Sequence, residues 1–152
     1  MPILAATLDG MPSTRIATAA LAAPLLTPWT AGPHDPGEGS VVVSVTEFQA
    51  HHRRELPGVG VAGLRMGAGW YAMPGAVGLS LWMLPATSRG GSISVWASEA
   101  DLERFVGLPH HVGIMARYSD RGTVRSTTWL ADRFERDAII DRARTWIGER
   151  SA

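Results

Sequence analysis

Cysteine is absent from this 152-residue sequence. Its absence removes disulfides, thiolate nucleophiles and sulfur-ligated metals together, so packing must hold the fold, and it suits a reducing, cytoplasmic setting. Net charge is lacking too. Fourteen basic and fourteen acidic residues cancel, leaving no long-range field to draw in nucleic acid or an anionic membrane. The apolar stretch Ile16 to Leu26 is far shorter than the ~20 residues of a membrane span. Asp9 in its leader and Pro24 within it also argue against a secretory segment. No repeat of domain-array length occurs, and neither G-x-S-x-G, a phosphate-binding loop nor a paired-carboxylate signature is found. The histidines, His34, His51, His52, His110 and His111, lack the i, i+4 spacing and carboxylate companions of a zinc site, so no metal is expected.

The length fits one domain. Thr27 to Gly39 concentrates proline and glycine and reads as a loop. It divides an N-terminal extension (residues 1–39) from the main domain (residues 40–152). Within the extension, Ser13 could cap a short Ala-rich helix reaching Ala23, where Pro24 would end it.

Beyond Gly39 the pattern sharpens. Val41, Val43 and Val45 alternate with Val42, Ser44 and Thr46, giving a first strand from Val41 to Phe48. Residues 49–73 suit only a short, broken helix, because Pro57, Gly58, Gly60, Gly63 and Gly67 interrupt its apolar set. Leu79, Leu81 and Met83 mark a second strand, and Ile93, Val95 and Ala97 a third that pairs with it across Thr87 to Gly91. Ser98 and Asp101 resemble a capping box for a helix ending at Gly107, and Pro109 can open a second helix running to about Tyr118. Thr123 to Leu130 supplies a fourth strand. Asp132 with Glu135 should cap a final helix carrying Ile139, Ile140, Ala143, Trp146 and Ile147 on one side.

Strand, helix, strand, strand, helix, strand is the ferredoxin-like α+β order, a four-stranded antiparallel sheet with helices on one face. All four strands alternate, and the helices are too few for both faces. The second face is therefore expected to be buried against another copy, giving a homodimer. Gly58 to Gly63 matches G-x-G-x-x-G, but it does not leave a strand directly and no acidic residue follows about 20 positions on. Close helix packing is the better reading. Trp82, Trp96 and Trp129 lie on predicted strands, where they either pack the core or line an apolar pocket.

The run Ser94 to His111 (SVWASEADLERFVGLPHH), with Met115-Ala116-Arg117 and Ser126-Thr127-Thr128-Trp129, resembles the spheroidene monooxygenase-like proteins. These group with the antibiotic biosynthesis monooxygenases in the dimeric α+β barrel superfamily. The similarity extends over about residues 41–147 and includes Met66-Gly67 and Met73-Pro74-Gly75. It implies a monooxygenase-like enzyme acting on an apolar or aromatic small molecule, or alternatively a non-catalytic small-ligand binder, with heme or no cofactor. The Lys and Gly-Thr-Gly segment of spheroidene monooxygenase is replaced here by Met83 to Gly91, which points away from carotenoid oxidation by that route.

His110 and His111 follow a helix stop and are the candidate catalytic residues. Only one of two adjacent helical residues should face inward, where a neutral imidazole could act as a base or ligate heme iron. Trp82, Trp96 and Trp129 would wall the pocket, and Arg117 or Arg125 would neutralise an anionic group. The alternative is that one histidine hydrogen-bonds a backbone carbonyl while the other is solvated.

Overall fold

In a computed structural model of the chain, residues 23–149 are described, and the helix expected from Ser13 lies largely outside them. The elements are β1 (Leu25–Leu26), β2 (Thr30–Ala31), β3 (Val41–Ala50), α1 (Leu56–Ala68), β4 (Ala76–Leu84), β5 (Arg89–Trp96), α2 (Glu99–Val106), α3 (Pro109–Tyr118), β6 (Gly122–Ala131) and α4 (Arg136–Gly148). The sheet runs β1-β4-β5-β3-β6, with β2 also on β4, and every pairing is antiparallel. The four long strands thus take the ferredoxin-like order expected from the sequence.

Period-two alternation divides β3 between two environments. Val42, Phe48 and Ala50 meet residues of α1, α2 and α3 on a first face, while Val41, Val43 and Val45 join Ile139, Ala143 and Ile147 of α4 on the second. Both faces are therefore covered within one chain. This corrects the expectation that helices occupy one face only and that a second copy buries the other: the apolar stripe of α4 lies across the second face.

That helix begins at Arg136, with Glu135 at its N-cap making no side-chain capping bond, so Asp132 does not start it. Its other end is anchored more firmly. Arg89 donates to the carbonyl of Ile147 at 2.7 Å and Arg125 to that of Trp146 at 3.2 Å. Both guanidinium groups also bond Oε2 of the wholly buried Glu47. Cations at a helix C-terminus satisfy orphan carbonyls and complement the helix dipole.

The remaining departures from expectation have packing causes. Instead of breaking, α1 runs for thirteen residues. A Cβ on Gly58 would stand 2.8 Å from the Tyr118 hydroxyl, and one on Gly63 would stand 3.2 Å from Leu81. Close approach to β4 and α3 thus offsets a propensity cost of about 1 kcal/mol per glycine. The stretch Thr27 to Gly39, read as a loop, instead contributes β2 to the β4 edge, beside β1 from just before it. Thr27 accepts from Leu81 N through its hydroxyl and from Ser80 Oγ through its carbonyl, and Trp29 lies where a Cβ on Gly78 would be. The Ser98 cap forms as expected, accepting from Asp101 N. Among the described residues no helix is long and apolar enough to cross a membrane.

Two substitutions test how α4 is held. Glu47→Ala leaves buried Arg89 and half-buried Arg125 without their carboxylate and should lower the unfolding free energy by about 3–5 kcal/mol. Ile147→Ala should lower it by about 2–5 kcal/mol through the cavity it leaves. Chemical denaturation measures both, and an unchanged midpoint for Glu47→Ala would show that the arginine pair does not secure the helix.

Candidate functional site

On the first face, where apolar side chains would pack most simply, the middle of the sheet carries hydroxyls. The register sets Ser44 beside Ser94 of β5 and Thr128 of β6, and Thr46 beside Ser92 and Ser126. Ser44 and Ser94 are buried, Thr46 and Ser92 half-buried, and Ser126 and Thr128 exposed. The belt therefore runs from beneath the helices to an open edge at β6. Thr46 Oγ1 and Ser92 Oγ are 2.8 Å apart, and Ser94 Oγ accepts from Trp96 Nε1 at 2.9 Å.

Apolar clusters bound the belt at both ends. Phe48, Ala50 and Tyr118, with Val59, Ala62 and Ile114, form one end. At the other, Trp70, Trp96 and Phe105 pack edge-to-face or tilted, with centroids 5.0–5.5 Å apart. Trp70 is fully buried, and its Nε1 has no hydrogen-bond partner among the described residues. A buried donor left unpaired costs free energy comparable to a lost hydrogen bond and calls for an explanation.

His111 extends this aromatic group, its ring 4.9 Å from Phe105 at 61°. Its Nδ1 lies 3.1 Å from the carbonyl of Val106. A carbonyl only accepts, so Nδ1 carries the proton in the neutral ring and Nε2 retains a lone pair. Desolvation pushes the imidazole pKa below its ordinary value; the Val106 bond opposes that shift and neighbouring His110 adds to it. His110 itself is exposed.

The expected pocket residues do not converge. Trp96 reaches His111 through Phe105, but strand alternation turns Trp82, Arg125 and Trp129 to the second face. There Trp82 is buried and donates to the Thr46 carbonyl at 3.1 Å. Trp129 lies under Arg142 at 4.4 Å and borders an open recess of about 300 Å³ that includes Asp132 and Glu135. Arg125 is held by Glu47 and stacks on Trp146 at 3.9 Å. Arg117 is exposed on α3. Arg125 is across the sheet from His111 and Phe105 packs against the imidazole, so these expected heme-site residues are not brought together. Among the described residues no group of three or more histidine and carboxylate side chains gathers.

Sequence reasoning missed Ser44, Thr46, Ser92, Ser94 and Trp70. The hydroxyls do alternate within each strand segment, but only the pairing register aligns them into one belt. Trp70, in a short 3₁₀ turn after α1, carries no periodic signal.

No family model matches the chain, and no curated protein matches its sequence. Several solved structures share its fold. SnoaB, a cofactor-independent oxygenase from Streptomyces nogalater, is 19% identical with a TM-score of 0.51, the match covering 64% of this chain and 99% of that one. A proposed antibiotic biosynthesis monooxygenase from Deinococcus radiodurans is 11% identical with a TM-score of 0.55, covering 62% and 95%. A proposed monooxygenase from Lactobacillus acidophilus is 15% identical with a TM-score of 0.54, covering 72% of this chain; the chain spans 52% of that protein. The chain thus has the α+β fold of antibiotic biosynthesis monooxygenase-like proteins.

The depressed pKa of His111 makes stability depend on pH. The unfolded chain takes up the proton first, so stability is intact above the ordinary value of 6.5 and is lost as pH falls through the folded value. The stability of the parent against thermal or chemical unfolding should fall as pH falls from neutrality. In His111→Gln that dependence should be shallower, and parallel profiles for the two proteins would contradict the assignment.

Proposed function

We propose that the chain is a monooxygenase-like enzyme acting on an apolar or aromatic small molecule, held on the first sheet face between the hydroxyl belt and the α1–α3 helices. The observation that carries this reading is the belt itself. Ser44, Thr46, Ser92 and Ser94 occupy the covered middle of a sheet face that is otherwise apolar. Hydroxyls placed there have to be hydrogen-bonded to escape a desolvation cost that a purely apolar floor would not incur. Ligand sites, by contrast, combine apolar walls with a few placed polar groups that fix orientation. A flat substrate with one or two carbonyl or phenolic oxygens matches both the belt and the Trp70–Trp96–Phe105 wall, and its oxygen could satisfy Trp70 Nε1.

His111 is the proposed base. It is neutral near pH 7, with its proton held on Nδ1 and the Nε2 lone pair left to accept one from an acidic substrate hydroxyl. The fold is shared with oxygenases, but at low identity that likeness is no more than supporting analogy. A second reading, a non-catalytic binder, is favoured by one specific contact: the Val106 bond gives His111 a structural role at the α2–α3 junction.

Oxygen uptake with a panel of polycyclic phenols, alongside quenching of tryptophan fluorescence, tests the proposal. Turnover should be seen, with Thr46→Val weakening binding about tenfold, worth 1.4 kcal/mol. His111→Gln should slow kcat by about 10²-fold or more if it removes general-base catalysis. Tight binding without oxygen uptake would select the binder, and neither binding nor uptake across the panel would defeat both readings.

A further inference from the structure

On the first face Ser44 and Ser94 are buried, and Trp70, whose Nε1 lacks a hydrogen-bond partner among the described residues, is wholly so. A molecule that reaches these groups has to displace something. The element beside them with the weakest hold is α1. It lies on β4, with Gly60, Gly63 and Gly67 next to Met83, Leu81 and Leu79, and the last two pair with Ser92 and Ser94 of the belt. Four of its thirteen residues are glycine, whereas α3 has one and α2 none. Of the thirteen only Leu56 is buried, no side chain caps the first turn, and Leu64 is 58% exposed.

Close packing accounts for only some of these glycines. A Cβ at Gly58 or Gly63 would press on the Tyr118 hydroxyl or on Leu81, but one at Gly60 would meet only the terminal methyl of Met83 at 3.3 Å, and one at Gly67 would sit 3.4 Å from Leu79. Those two positions have room for alanine. The ends of the helix behave differently from its middle. Leu56 lies over Gly90 of β5, and just beyond the helix Trp70 packs against Trp96 and Phe105. The helix is thus pinned at both ends, with no buried residue between the pins.

We propose that α1 is the gate of the first-face site, opening by local unfolding between Leu56 and Trp70 to admit a ligand to Ser92, Ser94 and the Trp70 N–H. The gate rests on the site reading given above. Segments with few buried contacts open while the rest of a fold stays intact, and each glycine lowers the helical population roughly fivefold relative to alanine. Gly60 and Gly67, which packing does not require, therefore keep the helix easy to open. The pins have their own consequence. Trp70 stays between Trp96 and Phe105 while the helix is open, so the aromatic wall survives and α1 can close again over the ligand.

Because the chain has no cysteine, one introduced thiol reports the opening. Ser94→Cys places it in the covered belt, and its alkylation by N-ethylmaleimide follows the open population when closing is fast relative to the reaction. Adding Gly60→Ala and Gly67→Ala should slow that labelling by about twentyfold, and adding Leu64→Gly, at an exposed position, should speed it about fivefold. Ser126→Cys, at the exposed end of the belt, should react fast in every background. Ile147→Ala weakens the fold on the other face and should leave the Ser94→Cys rate unchanged. In the parent, the amides of residues 61–68 should exchange with solvent faster than those of β3. No substrate enters these measurements, so a failed gate is distinct from a chain that shows no oxygen uptake. Labelling indifferent to the two alanines would mean entry past β6, and acceleration by Ile147→Ala would mean global unfolding. Either result, or α1 amides as protected as those of β3, overturns the proposal.

Discussion

Glu47 lies wholly buried between Arg89 and Arg125, and the placement of the C-terminal helix on the second sheet face depends on that cluster. The carboxylate sits on the central strand β3, the arginines on its neighbours β5 and β6, and both arginines reach carbonyls in the last turn of α4. Three strands and one helix end are thus joined through a single carboxylate. A buried ion pair adds little stability compared with an apolar replacement of similar volume, but removing one partner is costly. Such a cluster therefore specifies where α4 docks more than it strengthens the fold, while the apolar contacts of Ile139, Ala143 and Ile147 supply the packing.

With the second face closed by α4, the chemistry available to the first face comes from its own side chains. That face is divided along the strands into an aromatic end, a hydroxyl middle and a second apolar end. Charge is absent from the belt, and its neighbours are indoles, a phenyl ring and a neutral imidazole. Such surroundings favour uncharged, flat molecules with a few oxygen atoms over phosphates or carboxylates. Trp70 strengthens the case because its indole N–H is buried without a hydrogen-bond partner among the described residues.

The histidine pair shows how one local geometry serves two readings. Pro109 opens α3 and places His111 in its first turn, against Phe105 and the last residue of α2. The bond to Val106 holds the ring and fixes its tautomer whether or not Nε2 meets a substrate. Structural anchoring and catalysis therefore predict the same resting geometry, and kinetic measurements separate them.

Much of this was written in the sequence, because strand and helix periodicities are local. The β3 alternation, the Ser98 cap, the Pro109 helix start, the stripe on α4 and hence the α+β order all follow from neighbours a few residues apart. Tertiary structure alone decided what depends on distant partners. Gly58 and Gly63 kept α1 whole because Tyr118 and Leu81 press against them, outweighing their poor helix propensity. Thr27 became part of the sheet edge through bonds to Ser80 and Leu81. The expected pocket separated because Trp82, Arg125 and Trp129 fall on the opposite strand parity from Trp96, a difference that matters only once the register is set. The hydroxyl belt has the same origin, since each strand holds two of its members and only hydrogen-bond pairing across three strands brings them together.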